Sequence, residues 1–467
     1  MKKFSTNDLA KIIKAHESPA TSDERRFFTA VSTDSRTIKA GDCFFAIAGN
    51  NFDGHNYVAD ALAKGAACAV VNKNANCEKF TGNCVLSVDD TIKALGDFAT
   101  SYRKTGNFKI IAITGSVGKT TVRQIAYHVL SQHYRVHQAP KNFNNNIGLP
   151  LTLLGADPED KIVIVELGSN HPGEIAHLTQ IALPDIAVVT NVHPAHLEGF
   201  GNLKTIVQEK LSISEGLPSD GILIINADLV KWLNGNRLNC QLPITNHQVI
   251  AFGKSDSCDL QAQNIAYETA ASRFTINGTQ VLLPLLGAGN VENAVAACSI
   301  CRLFGITIDD FAHAVKTLPS LPMRTELLQI GTLTVLNDCY NANPASMKNA
   351  MDILANLVSK EKRRSVFICG DMAELGQYTQ ALHAELGASV AQAKVQLLLT
   401  VGKSAKIVAE SAKNTASYNL QTKSFSDTLS ACNNLEKFIK NYDIVLVKGS
   451  RVNKLEMAVK KLKELFS

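Results

Sequence analysis

The sequence predicts an α/β protein of three domains. Its 467 residues exceed what one ordinary core holds, and at about 150 residues per domain they give roughly three. From about residue 85 onward, apolar runs of strand length alternate with helical patterns, the signature of a mostly parallel sheet covered by helices. The alternation occurs in two series. Leu318-Pro319-Ser320-Leu321-Pro322 divides them, because its prolines stop any helix from continuing.

The first region, residues 1–84, carries the strand-like runs Cys43–Ile47 and Ala67–Val71 and one helical pattern, Tyr57–Lys64. The second, 85–318, has predicted strands at Lys109–Thr114, Ile162–Leu167, Ile186–Val189 and Ile222–Asn226, with helices at Thr121–Ser131, Leu203–Gly216 and Val291–Leu303. The third, 319–467, has strands at Thr332–Leu336, Ser365–Ile368, Gln396–Thr400 and Asp443–Val447 and a closing helix over Asn453–Leu465. No internal repeat or low-complexity tract interrupts these series.

Composition narrows the class. Apolar residues make up 45% of the chain and charged residues 19%, as in a globular protein. The net charge of +5 is scattered, which argues against a nucleic-acid surface and leaves an anionic small substrate easy to accommodate. Phe4–Lys14 is interrupted by polar residues, so no secretory signal is expected. No run approaches the ~18 apolar residues that span a bilayer. The 11 cysteines are odd in number and dispersed, as expected of reduced thiols in a cytoplasm. Cys298 and Cys301 form one C-x-x-C in an Ala-rich helical pattern, which suits a buried helix face better than a redox site.

The strongest chemical signal is Gly115-Ser116-Val117-Gly118-Lys119-Thr120-Thr121, between the run Ile110–Ile113 and a helix. Glycines let backbone N–H groups turn toward phosphate oxygens, a lysine reaches the terminal phosphates, and the neighbouring hydroxyl can ligate Mg²⁺. The following helix adds its positive N-terminal end. This segment is expected to bind ATP or GTP. It is shorter than the common G-x-x-x-x-G-K-[ST] loop, since Ile113 stands where that pattern requires glycine.

Other candidates lie at predicted strand ends. Glu166 closes the run Ile162–Val165 and is either a Mg²⁺-holding acid or a plain loop acid. Thr190–Gly201 follows Ile186–Val189 and reads as a binding loop, in which His196 is either a ligand or a structural hydrogen-bonder. Asp338 can accept from a ribose, and Pro344 suits the first turn of a helix. Arg324, just past the prolines, can reach a phosphate carried by the second domain. Lys210 reads locally as an ordinary solvated helix lysine.

The motifs in order resemble the Mur ligases, the ATP-dependent amide-forming enzymes of peptidoglycan synthesis, over nearly the whole chain. They are DSR at Asp34–Arg36, FDGHNY at Phe52–Tyr57, TGSVGKTT at Thr114–Thr121, NFNNNIGLPLTLL at Asn142–Leu154, ELGSNHPGEI at Glu166–Ile175, AHLEGFGN at Ala195–Asn202, DCYNANPASM at Asp338–Met347, GDMAELG at Gly370–Gly376 and KGSR at Lys448–Arg451. The shortened phosphate loop is the family's own form. NHPGEI and HLEGFG point to the branch that adds D-alanyl-D-alanine. The resemblance implies a first domain for the UDP-sugar end, a central ATPase domain and a Rossmann-like third domain. It implies a bacterial cytoplasmic enzyme, a monomer, that joins D-Ala-D-Ala to UDP-MurNAc-tripeptide through an acyl phosphate, with ATP and Mg²⁺.

By the same resemblance, Lys119, Glu166, His196 and Lys210 are catalytic. Thr120 and Glu166 hold one Mg²⁺ and His196 a second, and Lys210 matches a lysine that becomes carbamylated. Gly115 to Thr121, Asn290, Arg324 and Asp338 meet ATP, and Asp34, Ser35, Arg36, Asn142 and Asn145 meet the substrate. The chain departs from the family pattern at Asn146, often acidic, at Leu211-Ser212, often Gly-Glu, and at Gly289, often His. Two alternatives are another ligase of the superfamily, such as a folylpolyglutamate synthase or a Mur enzyme adding one amino acid, and an ATP-dependent regulatory protein. The DSR and DGH motifs in a separate first domain argue against the folate enzyme, and intact Lys119, Glu166, His196 and Lys210 argue against the regulatory protein.

Overall fold

The computed structural model describes residues 1–16, 26–49, 52–75, 84–140, 142–233 and 247–467. Three main sheets follow one another along the chain, the second and third where the two alternating series predict them. The first has four parallel strands in the order Val31–Ser32, Cys43–Phe45, Cys68–Asn72, Val85–Val88. Val85–Val88 pairs with Ala69–Asn72, so this sheet continues past residue 84. The helix Thr91–Thr105 follows, capped by Asp90, whose Oδ1 accepts from the Ile92 and Lys93 N–H groups at 2.8 and 3.0 Å.

The central sheet has nine strands. Their order is Val136–Gln138, Ile162–Glu166, Lys109–Thr114, Ile186–Val189, Ile222–Asn226, Gln248–Gly253, Leu260–Tyr267, Ser272–Ile276, Thr279–Leu283. The first seven run parallel, and the last two pair antiparallel as a hairpin. Lys109–Thr114 is legible as a strand because it is buried on both faces: Ile110 and Ala112 point into one core, Ile111 and Ile113 into the other. The first of these cores continues into the first domain, where Phe4 and Phe28 pack against Phe98 and Tyr102 of the helix Thr91–Thr105. Cys298 and Cys301 lie fully buried on the helix Ala288–Arg302, on the second core.

The third sheet has six strands, ordered Glu326–Ile330, Leu333–Asn337, Ile444–Lys448, Ser365–Gly370, Leu397–Val401, Gln421–Phe425. Only the first pair is antiparallel. Pro344 opens the helix Pro344–Glu361 as expected, under a reciprocal cap between Asn343 and Ser346. Two helical patterns end differently from expectation. The α-helix beginning at Leu203 stops at Leu211 and tightens to a 3₁₀ turn over Ser212–Gly216, and the closing helix starts at Glu456 after a turn at Arg451–Asn453. Among the described residues, no helix is long and apolar enough to cross a membrane.

Candidate active site

A cleft of about 1620 Å³ lies between the central and third domains. The strand Lys109–Thr114 is flanked by Ile162–Glu166 and Ile186–Val189, with Ile113 opposite Glu166 and Thr114 opposite Val189. Adjacent parallel strands therefore deliver the phosphate loop, Glu166 and the Thr190 loop to one edge. The loop turns through Gly115 at φ 142° and Gly118 at φ 89°. A Cβ at Gly115 would lie 2.0 Å from Thr190 Oγ1, and one at Gly118 would lie 2.1 Å from Asn293 Oδ1. Both positions require glycine.

The Thr190–Gly201 loop turns out to brace this segment. Asn191 O accepts from Ser116 N at 3.0 Å and Asn191 Oδ1 from Val117 N at 2.9 Å. Thr190 Oγ1 donates to Val117 O at 2.6 Å, and Ser116 Oγ donates to His193 O at 3.0 Å. Lys119 donates to Gly115 O at 2.6 Å, and burial lowers its pKa against the opposing pull of Glu166. Its ammonium must exchange that bond to reach a phosphate.

Glu166 is buried, 1% exposed, and held from two sides. Thr120 Oγ1 donates to its Oε2 at 3.1 Å, and Arg123 Nε lies 2.7 Å from its Oε1. Arg123 also donates to Ala139 O. Thr120 and Glu166 are hard oxygen donors side by side, suited to Mg²⁺. No group of three or more His, Cys, Asp or Glu able to hold a metal occurs among the described residues. The protein thus offers part of a coordination shell, the kind that nucleotide phosphates complete.

Lys210 corrects the local sequence reading. It is 2% exposed, not solvated, and donates to Ser169 Oγ at 2.7 Å. Burial, then the charge of Lys119, pulls its pKa down to about 7. Its neighbour Glu209, also buried, accepts from the Gly173 and Ile175 N–H groups at 2.7 and 2.8 Å. That carboxylate satisfies the N-terminus of the helix Glu174–Ala182 and pins the Lys210 helix against the loop after Glu166.

The third domain supplies the opposite wall. Arg324 faces the cleft and stacks on Tyr340, its Cζ 4.1 Å from the ring centroid. Asp338 is buried, with Oδ1 accepting from Thr325 N at 3.0 Å and Oδ2 from Lys448 Nζ at 2.6 Å. Asn290 donates to Thr325 Oγ1 at 2.8 Å, so a hydrogen-bond chain links Asn290 of the central domain to Asp338 of the third. His196 lines the cleft, and its Nδ1 bonds Glu374 of the third domain. That hydrogen bond lowers the Glu374 pKa.

The remaining predicted residues divide. Asn142 and Asn145 line the cleft, and Asn145 Oδ1 also accepts from Gly148 N at 2.8 Å at the start of the helix Gly148–Gly155. Asp34, Ser35 and Arg36 stay on the first domain and do not line the cleft. There Arg36 donates to both carboxylate oxygens of Asp34, chiefly these bonds holding the Asp34 pKa at about 2. Arg123, Ser169, Glu209, Glu374 and Lys448 escaped sequence reasoning. Ser169, Glu374 and Lys448 lay within quoted motifs, which gave a signal without a role. Arg123 sits on an otherwise apolar face between Val122 and Ile125, and only its incongruity marks it.

Fold and cleft define a three-domain protein built to bring a nucleotide held by a phosphate loop against groups of a second α/β domain. Family models agree: Mur ligase family, catalytic domain, matches residues 28–103; Mur ligase middle domain matches 113–301; Mur ligase, glutamate ligase domain, matches 323–451. The UDP-N-acetylmuramoyl-tripeptide–D-alanyl-D-alanine ligase of Bacillus subtilis is 34% identical over 449 residues, 94% of each chain. A crystal structure of MurF from Acinetobacter baumannii is 27% identical, with a TM-score of 0.87 over 99% of each chain. The MurF ligase of Thermotoga maritima, solved in complex with ADP, is 24% identical and shares the fold at a TM-score of 0.80, over 93% of this chain and 97% of its own. The chain belongs to the Mur ligase family. Within that family it is similar to the tripeptide–D-alanyl-D-alanine ligases, named MurF.

Proposed function

We propose that this protein catalyses the ATP-dependent joining of D-alanyl-D-alanine to UDP-N-acetylmuramoyl-tripeptide in peptidoglycan precursor synthesis, acting as a monomer in the bacterial cytoplasm. The observation that carries the reading is the convergence of Lys119, Thr120 and Glu166 on one wall of the cleft, with Lys210 buried behind the lining residue Ser169 and with Arg324 and Asp338 on the other wall. The family relatives and the ADP complex of the Thermotoga MurF support ATP as the nucleotide.

A free carboxylate is a poor electrophile, so the tripeptide's terminal carboxylate first attacks the γ-phosphorus of ATP. ADP leaves and an acyl phosphate forms. The dipeptide's amine then attacks the acyl carbon, loses a proton, and expels phosphate. Two anions must meet in the first step. Lys119 and Arg324 spread that charge, and backbone N–H groups of the phosphate loop hold the oxygens. Thr120 and Glu166 would hold Mg²⁺, which supplies further charge neutralisation at the phosphates. Arg123 holds Glu166 in place from one side. His196 would hold a second Mg²⁺. Lys210 is the carbamylation site: its neutral amine combines with CO₂ to give a carbamate anion and a proton, replacing a cation with an anion beside the metal site. Asn290 and Asp338 meet adenine and ribose. Asp34, Ser35 and Arg36 hold the uridine diphosphate end on the first domain, with Asn142 and Asn145 nearer the reacting end.

The test is phosphate release with Mg-ATP and UDP-MurNAc-tripeptide, with and without D-Ala-D-Ala. The reading predicts dipeptide-dependent release and a product heavier by one dipeptide. Release that ignores the dipeptide, or that needs a single amino acid, would contradict it. Lys119→Ala should abolish turnover and leave the circular dichroism spectrum unchanged.

A further inference from the structure

The central and third domains also meet where the chemistry above assigns nothing to the third domain. The helical turn Leu197–Phe200 faces the turn Gly376–Tyr378. Glu198 N donates to Glu374 O at 3.1 Å, and Tyr378 OH donates to Gly201 O at 3.3 Å. A Cβ on Gly376 would come within 3.2 Å of Glu198 Cα, so the approach is tight. At the centre, His196 Nδ1 meets a Glu374 carboxylate oxygen. Both residues are left-handed, His196 at φ 53° and Glu374 at φ 61°. A residue with a Cβ keeps that conformation only where its surroundings impose it. Here each strained residue supplies one end of the same bond.

The bond has a chemical consequence. An imidazole whose Nδ1–H is held by a carboxylate carries its lone pair on Nε2, the form that ligates a cation. No described residue hydrogen-bonds His196 Nε2, and His196 lines the cleft.

We propose that Glu374 is a positioning residue that couples closure of the third domain to the readiness of His196. Closure brings the Glu374 carboxylate onto Nδ1, which fixes the ring and its tautomer with Nε2 open to the cleft. The site on the phosphate side is then complete only when the third domain is seated. This rests on the ligase reading for the role of His196, and on the interdomain geometry for the contact itself.

The experiment uses the full chain with Glu374→Ala and Glu374→Gln. Glu374 is half exposed, at 48%, so both variants should fold and melt near the wild type. Fluorescence of Trp232, the single tryptophan and a cleft residue, reads binding of a non-hydrolysable ATP analogue. Small-angle scattering reads compaction, and electron paramagnetic resonance reads Mn²⁺ held with the analogue. Both variants should bind the analogue within about twofold of wild type. Glu374→Ala should lose compaction, hold Mn²⁺ at least about tenfold more weakly, and lose kcat with KM for ATP unchanged. Glu374→Gln still accepts the Nδ1 proton and should recover most of each loss. A Glu374→Ala protein that compacts and holds Mn²⁺ as the wild type does would overturn the proposal. Wild-type phosphate release indifferent to D-Ala-D-Ala would remove the ligase reading alone, since compaction and Mn²⁺ binding still decide the role of Glu374.

Discussion

A lysine buried beside another lysine is costly to keep charged, and Lys210 answers by giving up its proton near pH 7. Its unfolded pKa is ~10.4. A depressed pKa contributes stability that is present above the unfolded value and lost as pH falls through the folded one. The stability of Lys210→Met relative to wild type should therefore grow as pH drops from about 10 to 7 and level off below, as followed by thermal unfolding. The same neutral amine is what carbamylation needs. With ¹³C-bicarbonate, a carbamate carbon signal should be present at pH 8, diminished at pH 6 and missing from Lys210→Met; a pH-independent signal would contradict the assignment. Arg123 poses the complementary problem, a buried cation whose partner is a buried anion. Arg123→Leu strands Glu166 and should cost about 3–5 kcal/mol in urea unfolding.

At the scale of elements, the phosphate loop is set by its neighbours as much as by its glycines. Gly115→Ala would drive a Cβ into Thr190 Oγ1 at a φ that alanine resists, so nucleotide binding should fall sharply while the sheet persists. Near wild-type nucleotide affinity in a calorimetric titration would refute that. The strands around the loop were legible because each is a short apolar run buried on both faces: Lys109–Thr114, Ile186–Val189 and Ile222–Asn226 match the structure end for end. Val136–Gln138 was not, being three half-buried residues at a sheet edge. The hairpin Ser272–Leu283 alternates buried and partly exposed residues, a different signal from the runs that marked the parallel core. Among site residues, Lys119 and Thr120 carried their own local motif. Lys210 did not: its environment comes from Ser169, 41 residues away, and only the family resemblance pointed to it.

On the scale of the whole molecule, the proposed reaction draws on all three domains. Asp34–Arg36 lie off the cleft, as a subsite for the far end of a long substrate would. The phosphate loop and Glu166 stand on the central wall, Arg324 and Asp338 on the third. Hydrogen bonds across the junction, from Asn290 through Thr325 to Asp338 and from His196 to Glu374, make both walls parts of one site. Phosphorylation is the step by which this site is proposed to activate a carboxylate. It is tested most directly with tripeptide substrate carrying ¹⁸O in its terminal carboxylate, turned over with Mg-ATP and D-Ala-D-Ala. The released phosphate should carry one ¹⁸O for each amide formed, because the carboxylate oxygen leaves with the phosphate. Amide formation with unlabelled phosphate would contradict it.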